Sequence, residues 1–363
     1  MKKAKTAKKP PPAPPGAFAL FGQGEPEVLQ AYDTSHGDKD LRHVFLLRYP
    51  DGTKIALKAA RNAFTTPERV EGWAALTEHY NALGIYAPRF LQTGQGQYTA
   101  TIGEFLVYAE EYIDGVMAEA QDESSEGKPD FRKGEAGIAM LETLGLVAAN
   151  PAPLVPWHTA WCLYEKFDDE EDTDENTECA TKLTEHISSN FPQYAQRAQA
   201  ILDRYFKLRA EYEPIYRALP KAVFQGDLGA NNVVLTDEGA FKGVCDFNLS
   251  GTDTILNMML CECRSCWSGT EKEKFAMFSD PAAQKKHDEQ TAQFLKHATK
   301  HYKLADAEKR AFNALYNITY AFRWQNYGFM KYHLRKQGRR HAPVVLDWIE
   351  RQMARDDAWQ MLP

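Results

Sequence analysis

The chain has no uninterrupted apolar run of about eighteen residues, the length a membrane-spanning helix needs, so no membrane insertion is expected. The N-terminal residues do not read as a secretory leader either. The first sixteen residues, MKKAKTAKKPPPAPPG, carry five Lys, five Pro and no acid, and no apolar core follows them. A cytoplasmic setting is therefore expected, and segment 1–16 reads as a disordered tail. An excess of positive charge is absent. Lys and Arg number 43 against 50 Asp and Glu, a formal net charge of -7, which argues against nucleic acid as a partner. Cysteine is scarce, six residues in 363, and without a secretion signal disulfides are not expected. Three of the six cluster as CECRSC at Cys261, Cys263 and Cys266. A fourth metal ligand is not evident there, and ILNMMLCECRSCW reads as a helix. Repeated glycines are missing too. The segment DTSHGDKDLRH, Asp33 to His43, offers only Gly37 as a flexible point.

What is present is concentrated in VFQGDLGANNVVLTDEGAFKGVCDFNLSGTD, Val223 to Asp253. VVL (Val233 to Leu235) and FKGVC (Phe241 to Cys245) read as short strands, joined by the turn chemistry of TDEG. A hairpin there returns both strand ends to one place and sets Asn232 beside Asp246. Asp227 lies five residues before Asn232 on the entering loop. Phosphoryl transfer needs a carboxylate to orient or deprotonate the acceptor hydroxyl, and hard oxygen ligands for Mg²⁺. Asp227 suits the first role, Asn232 and Asp246 the second. The bland reading, an ordinary hairpin with polar capping residues, explains each residue singly but not their joint spacing.

This pattern resembles the aminoglycoside phosphotransferase and choline kinase-like superfamily. In that family the first motif usually reads His-Gly-Asp, with Asn five residues after the Asp, followed by a strand ending in Asp-Phe or Asp-Trp. Here the residues are Gln225-Gly226-Asp227, Asn232 and Asp246-Phe247. Gln225 departs from the usual His, whose role is mostly to support the loop. The resemblance covers most of the chain. It implies an α+β, two-lobed, protein-kinase-like fold with a strand-rich N-terminal lobe at 17–112 and a mainly helical catalytic and acceptor-binding lobe at 113–363. It implies ATP and Mg²⁺ as cofactors and a hydroxyl-bearing small molecule as acceptor: aminoglycoside-like, an amino alcohol or a sugar. The alternatives are a protein phosphoacceptor and a non-catalytic nucleotide-binding scaffold. Retention of several polar groups together weighs against the scaffold.

The N-terminal part fits this frame. HVFLLRYP and TKIALKAA flank a DG turn and read as a hairpin. Lys58 sits inside the apolar run IALKAA, either snorkelling to solvent or held for a phosphate. The resemblance implies the phosphate role, and Glu71, on the helix of TTPERVEGWAALTEHYNALG, is the expected partner, with Glu68 and Glu78 as alternatives. That helix starts at Thr-Pro, stops at Gly84 and should bury Trp73, Leu76 and Tyr80. GEFLVYAEEYIDG reads as a strand leading out of the lobe. By resemblance its end is the hinge, with Glu110, Glu111, Tyr112 and Ile113 meeting adenine.

Further along, a helix with Ile138, Leu141 and Leu144 inward should close near Gly145. Seven acids among the eight residues Asp168 to Glu175 suggest a solvated loop, or else a lure for a cationic acceptor. Helices are expected from about 191 to 219 and through the last hundred residues. Asp253 should cap the next helix or brace the catalytic loop. By resemblance, Arg323, Trp324 and Tyr327 are candidates for the acceptor pocket.

Overall fold

The computed structural model describes residues 12–113, 115–118, 131–264 and 271–363. Expectations for residues 1–11, Asp114 and Cys266 lie outside these. Within the segment read as a tail, Pro14 is buried and Ala13 packs on the smaller core cluster, so ordered packing begins before Ala17.

The N-terminal part is an antiparallel sheet with one helix. Its elements are β1 (Glu27–Asp33), β2 (Leu41–Arg48), β3 (Lys54–Arg61), α1 (Pro67–Ala82), β4 (Phe90–Leu91), β5 (Thr99–Ile102) and β6 (Phe105–Glu111). The strand order is β1-β2-β3-β6-β4, with β5 also on β6. The DG turn closes as its residues dictate: Tyr49 N donates to Thr53 O at 2.8 Å, and the Asp51 carboxylate accepts from Thr53 N at 2.9 Å. The two-residue period of β3 sends Ile55, Leu57 and Ala59 into one apolar cluster, with Phe45, Leu47, Val107 and Ala109. Lys58 therefore emerges on the opposite face.

Thr66 caps α1, its hydroxyl accepting from Arg69 N at 3.3 Å, with Pro67 as the first helical residue. Val70, Trp73, Leu76 and Tyr80 are buried in a second, larger cluster that continues into the helical part of the chain. Each such side chain contributes about 1.5–3 kcal/mol by leaving water.

The rest is mostly helical. Its elements are β7 (Val116–Met117), α2 (Glu135–Ala149), α3 (Glu175–Asn190), α4 (Ala195–Ala218), β8 (Lys221–Phe224), β9 (Val233–Leu235), β10 (Phe241–Val244), β11 (Gly251–Thr254), α5 (Ile255–Cys263), α6 (Glu271–Ser279), α7 (Pro281–Ala298), α8 (Asp306–Thr319) and α9 (Trp324–Gln352). This is the expected α+β architecture of a strand-rich first lobe and a helical second one. Cys261 and Cys263 lie buried on α5.

Three local expectations change. Helix α2 runs past Gly145, where a Cβ would stand 2.3 Å from Ala298 O; the glycine serves close packing against the end of α7, not a stop. Helix α3 was not anticipated, because the acid-rich run hides its start. The run itself is only partly a solvated loop. Asp174 is buried, caps α3 by accepting from Thr177 N at 3.0 Å, and ion-pairs with Arg209.

Candidate active site

The β9–β10 hairpin forms, with Val233 opposite Val244 and Leu235 opposite Phe241. Its turn closes through Thr236 N to Ala240 O at 2.8 Å and Gly239 N to Thr236 O at 2.9 Å. Past the strand ends Cys245 N donates to Asn232 O at 2.9 Å, so Asn232 and Asp246 stand side by side. Asn232 Nδ2 donates to Asp227 Oδ2 at 2.8 Å and to Asp227 O at 3.0 Å. That turns the Asn232 amide oxygen elsewhere, where it accepts from Asn231 Nδ2 at 2.9 Å. Asp246 has φ 58, a left-handed conformation that is costly for a side-chain-bearing residue and recurs at functional sites.

Gln225 secures this arrangement. It is 1% exposed. Its amide group donates to Cys245 O at 2.8 Å and Asp246 O at 2.7 Å, and its oxygen accepts from Asp227 N at 2.7 Å. A neutral imidazole has one donor and one acceptor, so it could not make all three bonds. The Gln at the usual His position thus ties the Asp227 loop to the Asp246 backbone. From the first lobe, Tyr80 OH accepts from Gln225 N at 3.1 Å, and the Tyr80 ring meets Phe247 edge-on at 5.3 Å.

Lys58 reaches the same place from β3. Its Nζ lies 2.8 Å from Glu110 Oε1 and 3.6 Å from Asp246 Oδ1. Glu110, not Glu71, is its strand-borne partner. In the β3–β6 register Lys58 faces Tyr108 and Ala56 faces Glu110, so Lys58 and Glu110 are diagonal neighbours on one face. Glu71 is exposed on α1, whose inward positions are apolar, and so are Glu68 and Glu78. Burial alone would lower the Lys58 pKa, but Glu110 and then Asp246 hold it well above its ordinary value. Of the expected hinge residues, Glu111 accepts from Arg89 N at 3.2 Å and Tyr112 lies 5.1 Å from Lys54 Nζ, with Ile113 next in the chain.

Burial and then the Asp246 carboxylate push the Asp227 carboxyl up, against the hydrogen bonds from Asn232 and Gly229. A residue the sequence did not single out faces it. Glu262, in the middle of CEC on α5, accepts from Leu228 N at 3.4 Å. Burial and then Asp227 push its carboxyl up to about 7. Glu262 therefore holds its proton more tightly folded than unfolded, and its contribution to stability falls as pH rises from about 4.5 to about 7. Glu262→Gln is expected to remove that slope and to stabilise the fold at high pH by up to roughly 3 kcal/mol, less to the extent that water reaches the group. Melting curves across this range check it; unchanged pH slopes in the variant would contradict it.

Asp253 is buried and braces rather than caps. Tyr216 OH (2.6 Å), Thr159 Oγ1 (2.8 Å) and Asn257 Nδ2 (2.9 Å) all donate to it, while Thr254 caps α5. Burial still raises its pKa. Arg323, expected at the acceptor pocket, is 2% exposed and bonded to Trp161 O and Asn257. Tyr327 is also buried, whereas Trp324 is 56% exposed.

The overall fold is shared with a known enzyme. An aminoglycoside phosphotransferase from Alicyclobacillus acidocaldarius subsp. acidocaldarius has a TM-score of 0.52 at 14% identity, with 98% of this chain and 96% of that chain covered. This likeness supports the two-lobed kinase-like fold. A spectinomycin phosphotransferase in complex with ADP and spectinomycin gives a TM-score of 0.45 at 10% identity, over 92% of this chain and 91% of that one. No curated protein matches the chain. The sequence profile of the phosphotransferase enzyme family matches residues 37–257, a span that holds Lys58, Gln225, Asp227, Asn232 and Asp246. With well over half of its length matched, the chain belongs to the phosphotransferase enzyme family.

Proposed function

We propose that the chain is an ATP- and Mg²⁺-dependent phosphotransferase acting on a hydroxyl of a small molecule. One observation carries this: Lys58 from the first lobe lies 3.6 Å from Asp246 of the second, Asn232 lies 2.8 Å from Asp227, and the bond from Cys245 N to Asn232 O brings the two pairs to one place. Core packing has no use for four such groups in one place.

In this reading Asp227 orients the acceptor hydroxyl and takes up its proton as the new O–P bond forms, while the bond from the γ-phosphorus of ATP to its bridging oxygen breaks and ADP leaves. Its environment, buried and beside a second carboxylate, favours proton uptake. Lys58, held cationic by Glu110, receives the α- and β-phosphates. Asn232 and Asp246 offer hard oxygens, and the Asp246 side chain is 41% exposed, so these donors suit Mg²⁺. A bound Mg²⁺ would neutralise phosphate charge. Gln225 keeps Asp227 and the Asp246 backbone in register, so most of the rate arises from positioning. The hinge residues Glu111, Tyr112 and Ile113 border the nucleotide base. Aminoglycoside-like compounds, amino alcohols and sugars are the acceptor classes to screen.

The test is an acceptor screen with Mg-ATP that reads ADP release and the mass of the product. A product heavier by one phosphoryl group is expected for one class. Failure of every class, together with failure to bind ATP, would overturn the proposal.

A further inference from the structure

The Gly226–Asp227 peptide is gripped at both ends by side chains. Its N–H, on Asp227, donates to Gln225 Oε1 at 2.7 Å. Its carbonyl, on Gly226, accepts from the indole N–H of Trp161, sixty-five residues earlier in the chain. Gly226 has φ 88, and a Cβ there would stand 2.4 Å from Leu249 O, so the backbone enters this peptide in a conformation that only glycine suits. The orientation of one peptide plane therefore fixes where the Asp227 side chain departs.

Trp161 is itself held by buried groups. It lies in the turn-rich stretch between α2 and α3, half-buried, with no helix or strand to fix it. Its backbone carbonyl accepts from Arg323 Nη1 at 3.1 Å and from Asn257 Nδ2 at 3.0 Å. Arg323 also donates to Asn257 Oδ1. Asn257 Nδ2 donates to Asp253 Oδ2 at 2.9 Å, and Asp253 is anchored by Tyr216 and Thr159. Arg323 and Asp253 are 2% and 1% exposed. A buried ionic group of this kind is costly to desolvate and adds little stability over apolar packing. Its geometric consequence is clear, however: it holds one carbonyl, that of Trp161, at a set position.

We propose that Trp161 is a positioning residue for Asp227, its indole N–H and the Gln225 carboxamide together setting the Gly226–Asp227 peptide plane, with Arg323, Asn257 and Asp253 fixing Trp161 in turn. This rests on the reading of Asp227 as the base that meets the acceptor. Among the described contacts none joins Trp161 to Lys58 or Asp246, and the indole reaches Asp246 and Asn232 only through Gln225 and Asp227, so turnover is expected to suffer more than nucleotide binding. Loss of the indole N–H frees the Gly226 carbonyl, lets the peptide rotate and moves the Asp227 carboxylate away from the acceptor.

The experiment compares wild type, Trp161→Phe, and a protein with benzothienylalanine at position 161. The last keeps the ring size and removes only the N–H, so it remains informative if the smaller Phe fails to fold. Both variants are expected to lose kcat by ~10- to 100-fold with KM for ATP little changed. Amide hydrogen exchange is expected to quicken in peptides covering 225–232 and to stay unchanged in β2 and β3. A merely structural residue would lower Tm and leave kcat per folded molecule intact. Unchanged exchange at 225–232 in the benzothienylalanine protein overturns the proposal, as does a rise in KM for ATP with kcat preserved. The exchange reading needs no substrate, so it decides the positioning role even if the phosphotransferase reading itself fails.

Discussion

Asp227→Asn is expected to fold as the wild type does, to bind Mg-ATP with nearly unchanged affinity, and to lose kcat by roughly 10²–10⁴-fold. The substitution is nearly isosteric. An Asn oxygen can still accept from Asn232 Nδ2, now 2.8 Å from Asp227 Oδ2, so the loop keeps its bond. What disappears is the proton acceptor. The burial and the neighbouring Asp246 charge that raise the Asp227 pKa are the features that make it a better base than an exposed carboxylate. The measurement is steady-state turnover with an acceptor from the screen, alongside calorimetric titration with Mg-ATP. Turnover near wild type would remove Asp227 from the chemistry.

The second large effect lies in the first lobe. Lys58→Met strands Glu110, which is 4% exposed, without its cation. Breaking a buried pair in this way costs about 3–5 kcal/mol, and protonation of Glu110 softens the loss. Adding Glu110→Gln removes the uncompensated charge and is expected to return most of the stability. Nucleotide binding should not return, because the cation for the phosphates is still missing. Chemical denaturation of the single and double variants reads the first effect and ATP titration the second. A single variant as stable as wild type would show that Glu110 does not depend on Lys58. A double variant that binds ATP normally would show that Lys58 does not meet the phosphates.

The site was legible where its residues are close in sequence. The short strand-like runs at 233–235 and 241–244, with turn residues between them, suffice to bring Asn232 to Asp246. The lone Lys58 in an apolar strand was equally visible. Its partner was not, because a helix-borne Glu71 and a strand-borne Glu110 look alike until the β3–β6 register is known. The two-residue period of β6 puts Glu110 on the face of Tyr108, but which face meets Lys58 is a tertiary fact. Glu262 and Trp161 reach the Asp227 loop from thirty-four and sixty-five residues away, across contacts that no local pattern encodes. The resemblance places Arg323 at the acceptor pocket, from its position in the C-terminal helices, and no local pattern tells that its side chain is buried. In the structure the turn before α9 directs it inward to Asn257, while Trp324 stays exposed. Composition likewise overstated the solvation of 168–175, since one buried Arg209 suffices to draw Asp174 inside.

The most direct test of the account is calorimetric titration of the wild-type protein and Asp246→Ala with ATP, each with and without Mg²⁺. The account predicts saturable binding to the wild type that Mg²⁺ strengthens. In Asp246→Ala the Mg²⁺-dependent part of that binding should be lost while the metal-free part persists, because Lys58 and Glu110 remain in place. No heat of binding for the wild type at millimolar ATP, or an equal gain from Mg²⁺ in both proteins, would contradict it.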